Sequence, residues 1–218
     1  MNKILIAPSI LSADFSKMGE EICELEKCGA DVIHADVMDG VFVPNITFGI
    51  KMVADIRKKT TLPIDAHLMI VEPIKYVKRF AEAGADYITV HYEACKENLV
   101  ATLNEIKNAG AKCGVVINPD TQVDKIEEVI PMCDMVLIMS VFPGFGGQKF
   151  IESVLPKVKK VSEIIAKLDK EILLEIDGGI TEENVQTVID AGANVIVAGS
   201  TVFKAQNKTA TIKALRGN

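Results

Sequence analysis

One short pattern limits this chain more than any other. Gly29-Ala30-Asp31-Val32-Ile33 returns as Gly84-Ala85-Asp86-Tyr87-Ile88 and as Gly192-Ala193-Asn194-Val195-Ile196, with Gly110-Ala111-Lys112-Cys113 a looser copy. The glycines lie 55, 26 and 82 residues apart, near two, one and three multiples of about 27, a plausible length for one strand-plus-helix unit. A chain of 218 residues then holds roughly eight such units. Each Gly-Ala follows an amphipathic stretch and precedes a β-branched run, as a helix-ending glycine leading into a buried strand would.

The strands fall near 4–9, 32–37, 64–69, 87–91, 113–118, 135–140, 172–177 and 195–199. Most are nearly continuous apolar runs, such as Met135-Val136-Leu137-Ile138-Met139, the signature of parallel strands covered on both faces. Helical patterns occupy 16–28, 73–83, 96–108, 123–130, 150–168 and 182–191, with further helical segments at 47–59 and 205–215. Eight alternating units with short connections fit an α/β fold of the (β/α)8 TIM-barrel type better than an open, doubly wound sheet. No linker or composition shift divides the chain, so residues 1–218 are expected to form one barrel domain.

Functional groups of such a barrel gather where strands end. Strand 1 ends at Pro8-Ser9, strand 2 at His34-Ala35-Asp36-Val37-Met38, strand 3 at Asp65-Ala66-His67-Leu68-Met69 and strand 4 at His91. Strand 5 ends at Asn118-Pro119, strand 6 at Met139-Ser140, strand 7 at Glu175-Ile176-Asp177-Gly178-Gly179 and strand 8 at Ala198-Gly199-Ser200. Period-2 geometry sends His34, Asp36 and Met38 to one face. All three histidines of the chain lie on the expected active face. Two imidazoles and two carboxylates converging there suit a divalent cation such as Zn2+, Mn2+ or Fe2+; a buried His/Asp hydrogen-bond network without metal is the alternative. Asp65 shares parity with His67 one layer deeper, where it would support rather than ligate. Met38, Met69 and Met139 serve either as barrel filling or as a polarizable, non-titrating wall.

Glycines cluster after three consecutive strands: Pro143-Gly144-Phe145-Gly146-Gly147-Gln148-Lys149, Asp177-Gly178-Gly179 and Gly199-Ser200. The first lacks the order of a Walker A loop. Together they point to a phosphate group held on backbone amides and a short helix N-terminus.

A net charge of -6 without a basic block argues against nucleic acid as partner. Five cysteines without a CxxC pair fit free thiols in a reducing compartment. The N-terminal apolar run stops at Pro8, short of a signal peptide, and no apolar run approaches the ~20 residues that cross a bilayer. The expected location is cytoplasmic, with no membrane partner.

These residues resemble the ribulose-phosphate 3-epimerase family. The resemblance is carried by Ala7-Pro8-Ser9-Ile10-Leu11-Ser12-Ala13-Asp14-Phe15, by His34 to Gly40 with Phe42-Val43-Pro44-Asn45, and by Asp65 to Met69. Pro143 to Gln148, Glu175 to Gly179 and Ala198 to Ser200 complete it in family order. It implies a ribulose-phosphate-binding barrel that interconverts D-ribulose 5-phosphate and D-xylulose 5-phosphate, as a homo-oligomer (dimer or hexamer). It implies one divalent metal ion per subunit (Zn, Fe(II), Mn or Co) on His34, Asp36, His67 and Asp177. Asp36 and Asp177 would exchange the roles of proton acceptor and donor. Ser9 and His67 would touch the sugar, and Gly144, Phe145, Gly146, Gly147, Gly178, Gly179, Gly199 and Ser200 the phosphate end. Phe142 stands where the family has a polar residue, and is expected to pack under the loop rather than face the site.

A D-allulose-6-phosphate 3-epimerase would share the metal and acid/base residues. A decarboxylase of related barrel type would want a lysine between the strand-2 aspartates, where this chain has Val37-Met38. A barrel kept only as a phosphate-binding module would tolerate loss of Asp36 or Asp177.

Overall fold

The computed structural model describes residues 3–217. Eight predominantly apolar runs become strands: β1 (Leu5–Ala7), β2 (Ile33–Met38), β3 (Ile64–Met69), β4 (Tyr87–His91), β5 (Lys112–Ile117), β6 (Met135–Met139), β7 (Leu173–Asp177) and β8 (Val195–Val197). All pair in parallel in the order β1-β8-β7-β6-β5-β4-β3-β2. A parallel bridge between Ser9 and His34 joins the two ends of that order, so the sheet curls into a (β/α)8 barrel. β1 stops at Ala7, short of residue 9, because Pro8 brings no N–H to the ladder.

The covering helices are α1 (Met18–Lys27), α2 (Ile50–Arg57), α3 (Val77–Glu82), α4 (Tyr92–Cys95), α5 (Leu99–Asn108), α6 (Leu155–Ile165), α7 (Val185–Asp190), α8 (Ser200–Phe203) and α9 (Lys208–Ala214). Among the described residues none is long and apolar enough to cross a membrane. Several helices begin later than the sequence pattern, because a 3-10 turn precedes α1, α5 and α6. The expected helix over 123–130 does not form; two 3-10 turns, Val123–Lys125 and Ile130–Met132, stand there instead. The backbone there closes mainly three-residue returns, Ile126 N–H to Val123 O and Val129 N–H to Ile126 O, and Pro131 has no N–H to carry a helical ladder onward.

The recurring Gly-Ala-Asp pattern is a joint with two functions. Gly29, Gly84, Gly110 and Gly192 all take positive φ, between 88 and 111°. The following alanine N–H reaches back to the helix: Ala30 to Leu25 O, Ala85 to Phe80 O, Ala111 to Ile106 O and Ala193 to Val188 O, at 3.1–3.2 Å. That six-residue return is the Schellman motif, which needs a left-handed residue at the glycine. The acid or amide that comes next caps the preceding strand. Asp31 accepts from the Ile6 N–H (2.9 Å), Asp86 from Ile64 (2.8 Å) and Asn194 from Leu174 (2.8 Å). Where the looser copy has Lys112, Asp134 of the next unit accepts from the Cys113 N–H at 3.0 Å. Near the C-terminus Arg216 donates to Ile4 O (2.8 Å) and Gly29 O (2.6 Å) and pairs with Asp31 at 2.7 Å.

Outward residues such as Ala35, Val37, Ala66 and Leu68 join one apolar layer with the helices. The inward face of β2 and β3 is polar and stacked in tiers. In register, His34 pairs with Asp65, Asp36 with His67 and Met38 with Met69. Asp177 on β7 is level with Met139 on β6 and Val197 on β8.

Candidate active site at the carboxyl ends of the strands

The top of the barrel opens into a pocket over two tiers of titratable groups. Ser9, Asp36 and Asp177 line its floor. Met38, Met69 and Met139 line its walls with Val141, and Gly144, Phe145, Gly146, Gly147, Gly178, Gly179, Gly199 and Ser200 form its rim. His34 and His67 do not line the pocket; both are fully buried beneath it, in contact with Asp36.

Asp36 is held from three sides. Its Oδ2 accepts from Ser9 Oγ at 2.5 Å, while Oδ1 is 3.3 Å from His34 Nε2 and 3.1 Å from His67 Nδ1. Burial pushes its pKa up, but the His34 charge and the close approach of both imidazoles overcome that and hold it well below the ordinary carboxylate range. Asp177 has no such donors. Burial, and then the charge of Asp36, push it up to about 6. Asp36 is thus held ionised, while Asp177 takes up a proton far more readily, the separation that assigns acceptor and donor in a two-acid site.

His34 stands between them, with Nε2 3.9 Å from Asp177 Oδ2. On its other side Nδ1 lies 2.8 Å from Asp65 Oδ2 and 3.5 Å from Glu175 Oε1. These approaches are close but lie off the hydrogen-bond direction, so both ring nitrogens are buried without a directed partner. Burial alone would lower the His34 pKa; Asp36, Asp65 and Glu175 raise it well above the ordinary value. Glu175 itself is pushed up to about 8, by burial first and the Asp65 charge second.

The donor atoms of His34, Asp36, His67 and Asp177 all lie within 4.8 Å of one another. Two imidazole nitrogens and two carboxylates suit Zn2+, Fe2+ or Mn2+. The undirected Nε2 of His34 is the kind of buried polar atom that a cation would satisfy. The residues present therefore fit a divalent cation.

The strand-2 loop is fixed from within. Thr47 Oγ1 donates to Asp36 O at 2.6 Å and accepts from the Met38 N–H at 3.0 Å. Asp39 Oδ1 accepts from Val41 and Phe42 N–H, and its Oδ2 from the Val71 N–H in the loop after β3. In the loop after β6, Gln148 Nε2 donates to Phe142 O and Phe145 O at 2.8 Å, and Asn45 Nδ2 donates to Gly144 O at 3.0 Å. Phe142 does not pack under this loop as expected. The residue is half exposed (51%) and does not line the pocket, and its carbonyl is held by Gln148. Gly178 and Gly179 take positive φ of 128 and 67°. A Cβ at Gly179 would sit 2.4 Å from the Phe150 N, so only glycine lets the chain pass this close.

Spacing alone did not single out Glu175, Asn45, Thr47 or the neighbours of His91. Glu175 carried a usable signal: it shares inward parity with Asp177 two residues on. The others act through loops, for which a periodic pattern gives no direction.

The fold and the site together define a (β/α)8 barrel with two opposed carboxylates below a glycine-rich mouth. The sequence model of the Ribulose-phosphate 3 epimerase family matches residues 5–203. Over 216 residues the chain is 53% identical to ribulose-phosphate 3-epimerase of Bacillus subtilis (strain 168), covering 99% of each. It is 52% identical to ribulose-phosphate 3-epimerase of Synechocystis sp., covering 99% of this chain and 94% of that one. KGPDC from Streptococcus mutans has the same fold at TM-score 0.75 and 17% identity, over 99% of this chain and 96% of that one. The chain belongs to the ribulose-phosphate 3-epimerase family, a family of isomerases.

Proposed function

We propose that the protein interconverts D-ribulose 5-phosphate and D-xylulose 5-phosphate, by removing the proton of carbon 3 on one face and returning one on the other. The observation that carries this reading is the placement of Asp36 and Asp177 on β2 and β7, three steps apart around the barrel, on the floor of one pocket. Opposed carboxylates are what an inversion at carbon requires, one to take the proton and one to give it. Ionised Asp36 takes the proton while Asp177, with its raised pKa, donates from the other face; the reverse reaction exchanges the roles. Ser9, bonded to Asp36, keeps its Oδ2 aimed into the pocket.

A divalent cation on His34, Asp36, His67 and Asp177 would supply Lewis-acid stabilisation of the enediolate oxygens. Met38, Met69 and Met139 exclude water from the reacting carbon without adding a titratable group. The glycine-rich rim is suited to the phosphate: free backbone N–H groups at the first turn of α8 and at Gly178-Gly179 approach an anion without side chains in the way. The segment 144–148, latched by Asn45, would then limit loss of phosphate from the enediolate. The names of the relatives support the pentose over the hexose phosphate. The same reading expects a cytoplasmic homo-oligomer.

Deuterium uptake at carbon 3 tests the proposal, with ribulose 5-phosphate and allulose 6-phosphate compared, with and without chelator. Uptake into the pentose phosphate that a chelator abolishes is expected. No uptake by metal-loaded protein would sink the proposal.

A further inference from the structure

Behind His67 lies a hydrogen-bonded series that the chemistry above does not use. His91, the last residue of β4, is fully buried with Nε2 2.9 Å from His67 Nε2, the two rings stacked at 24°. Its Nδ1 is 3.2 Å from Glu93 Oε2. The other oxygen of Glu93 accepts from the Asn118 N–H at 2.9 Å and from Thr121 Oγ1 at 2.5 Å. That segment is held in turn from α6. The buried Lys157 Nζ donates to Asn118 O (3.0 Å), Pro119 O (2.5 Å) and Thr121 O (2.7 Å).

Counting protons along the series gives it a direction. A carboxylate only accepts, so His91 Nδ1 carries the hydrogen that faces Glu93. The Nε2 of the neutral His91 ring is then a lone pair, and the 2.9 Å contact requires the hydrogen to sit on His67 Nε2. With Nε2 protonated, the neutral His67 ring presents its lone pair at Nδ1, 3.1 Å from Asp36 Oδ1, a pair of acceptors that a cation held by His34, Asp36, His67 and Asp177 would relieve. The opposite tautomer would set the lone pair of His91 Nδ1 against Glu93, where among the described residues no such cluster exists to relieve two facing acceptors.

We propose that His91 and Glu93 are positioning residues that fix the tautomer of His67, so that Nδ1 is the nitrogen offered to a cation. This rests on the reading of His34, Asp36, His67 and Asp177 as a cation site. The two histidines of that site are then backed unequally. Behind its Nδ1, His34 faces Asp65 and Glu175 directly, whereas behind Nε2 of His67 the carboxylate of Glu93 is reached only through a second ring.

Zinc affinity and tautomer test this together. Zn2+ dissociation constants are measured by chelator competition on the native chain and on His91→Phe, His91→Gln and Glu93→Gln. The Phe variant keeps a ring but offers no acceptor, and should bind Zn2+ roughly 10- to 100-fold more weakly, the usual loss when such a partner is removed. A glutamine carbonyl at 91 still accepts from His67, so His91→Gln should stay within about threefold of native, with Glu93→Gln between the two. Equal binding by His91→Phe and native, or equal loss in His91→Phe and His91→Gln, overturns the role. Independently of any variant, 15N NMR of the metal-free native chain should show His91 protonated at Nδ1 and bare at Nε2. The reverse, in a chain that binds Zn2+, overturns the relay alone. A native chain that binds no Zn2+ overturns the cation reading, and the role with it.

Discussion

Replacing Glu175 by glutamine should stabilise the metal-free protein, and increasingly so as the pH rises. Glu175 is fully buried, and both its carboxyl oxygens lack a hydrogen-bond partner. Its pKa is pushed from an ordinary 4.5 to about 8 by burial and by Asp65. Between those values the folded chain keeps a proton that the unfolded chain has released, so folding stability falls with rising pH. The slope is about 1.4 kcal/mol per pH unit, or about 5 kcal/mol over the span if Glu175 titrated alone. The charged groups packed around it respond to its proton, which reduces the part belonging to one side chain to roughly 2–3 kcal/mol. Glutamine has the shape of the neutral acid and no proton to lose. At pH 5 the variant should match the native chain to within about 1 kcal/mol; at pH 8 it should exceed it by about 2–3 kcal/mol. Urea unfolding of both chains at half-unit pH steps, with chelator throughout, reads this directly. Titrating groups away from residue 175 are common to the two chains and cancel in the difference. A difference that does not grow between pH 5 and pH 8, or a variant less stable at every pH, would refute the assignment of a buried neutral acid at 175.

Three further outcomes follow from the site. Asp177→Asn should lower kcat by about 10³-fold or more without lowering the melting temperature, because burial already disfavours the charge at 177; steady-state kinetics and calorimetry check the pair. Gly179→Ala should cost about 1–3 kcal/mol and raise KM, since its Cβ meets the Phe150 N at 2.4 Å with φ at 67°; thermal denaturation and substrate titration report it. Asn45→Ala removes the bond to Gly144 O, worth about 0.5–1.5 kcal/mol; a two- to tenfold rise in KM with unchanged unfolding midpoint is expected.

The barrel was legible because its joints repeat. Gly-Ala before a β-branched run announces both a helix end and a strand start, so strand positions followed to within one or two residues. Helix starts were less visible. At 96–98 the backbone takes a 3-10 turn at positive φ on Lys96, which no periodic apolar pattern signals. The failed helix at 123–130 carried its own warning in Pro131. In the site, inward parity was enough to gather His34, Asp36, His67 and Asp177, since a strand's period of two leaves little freedom. Loop residues had no such rule. Phe142 illustrates the cost: its neighbours in sequence gave no hint that Gln148 would hold its carbonyl or that the residue would stand half exposed. Nor did spacing reveal that His91 meets His67 nitrogen to nitrogen, which depends on how two strands sit side by side.

The caps that tie each strand to the next unit also bear on how the barrel comes together. An N–H in the opening residues of β1 (Ile6) is satisfied by Asp31, of β3 (Ile64) by Asp86 and of β7 (Leu174) by Asn194, each at the threshold of the following strand. A newly formed strand thus keeps a frayed edge until its successor arrives, and β1 is clamped in addition by Arg216 after α9. Assembly of this kind has a built-in order and a late final step. The backbone amide of Leu5, which donates to Asn194 O, should gain hydrogen-exchange protection only when β8 closes against β1, so ring closure rather than any single unit would set the cooperativity of the whole.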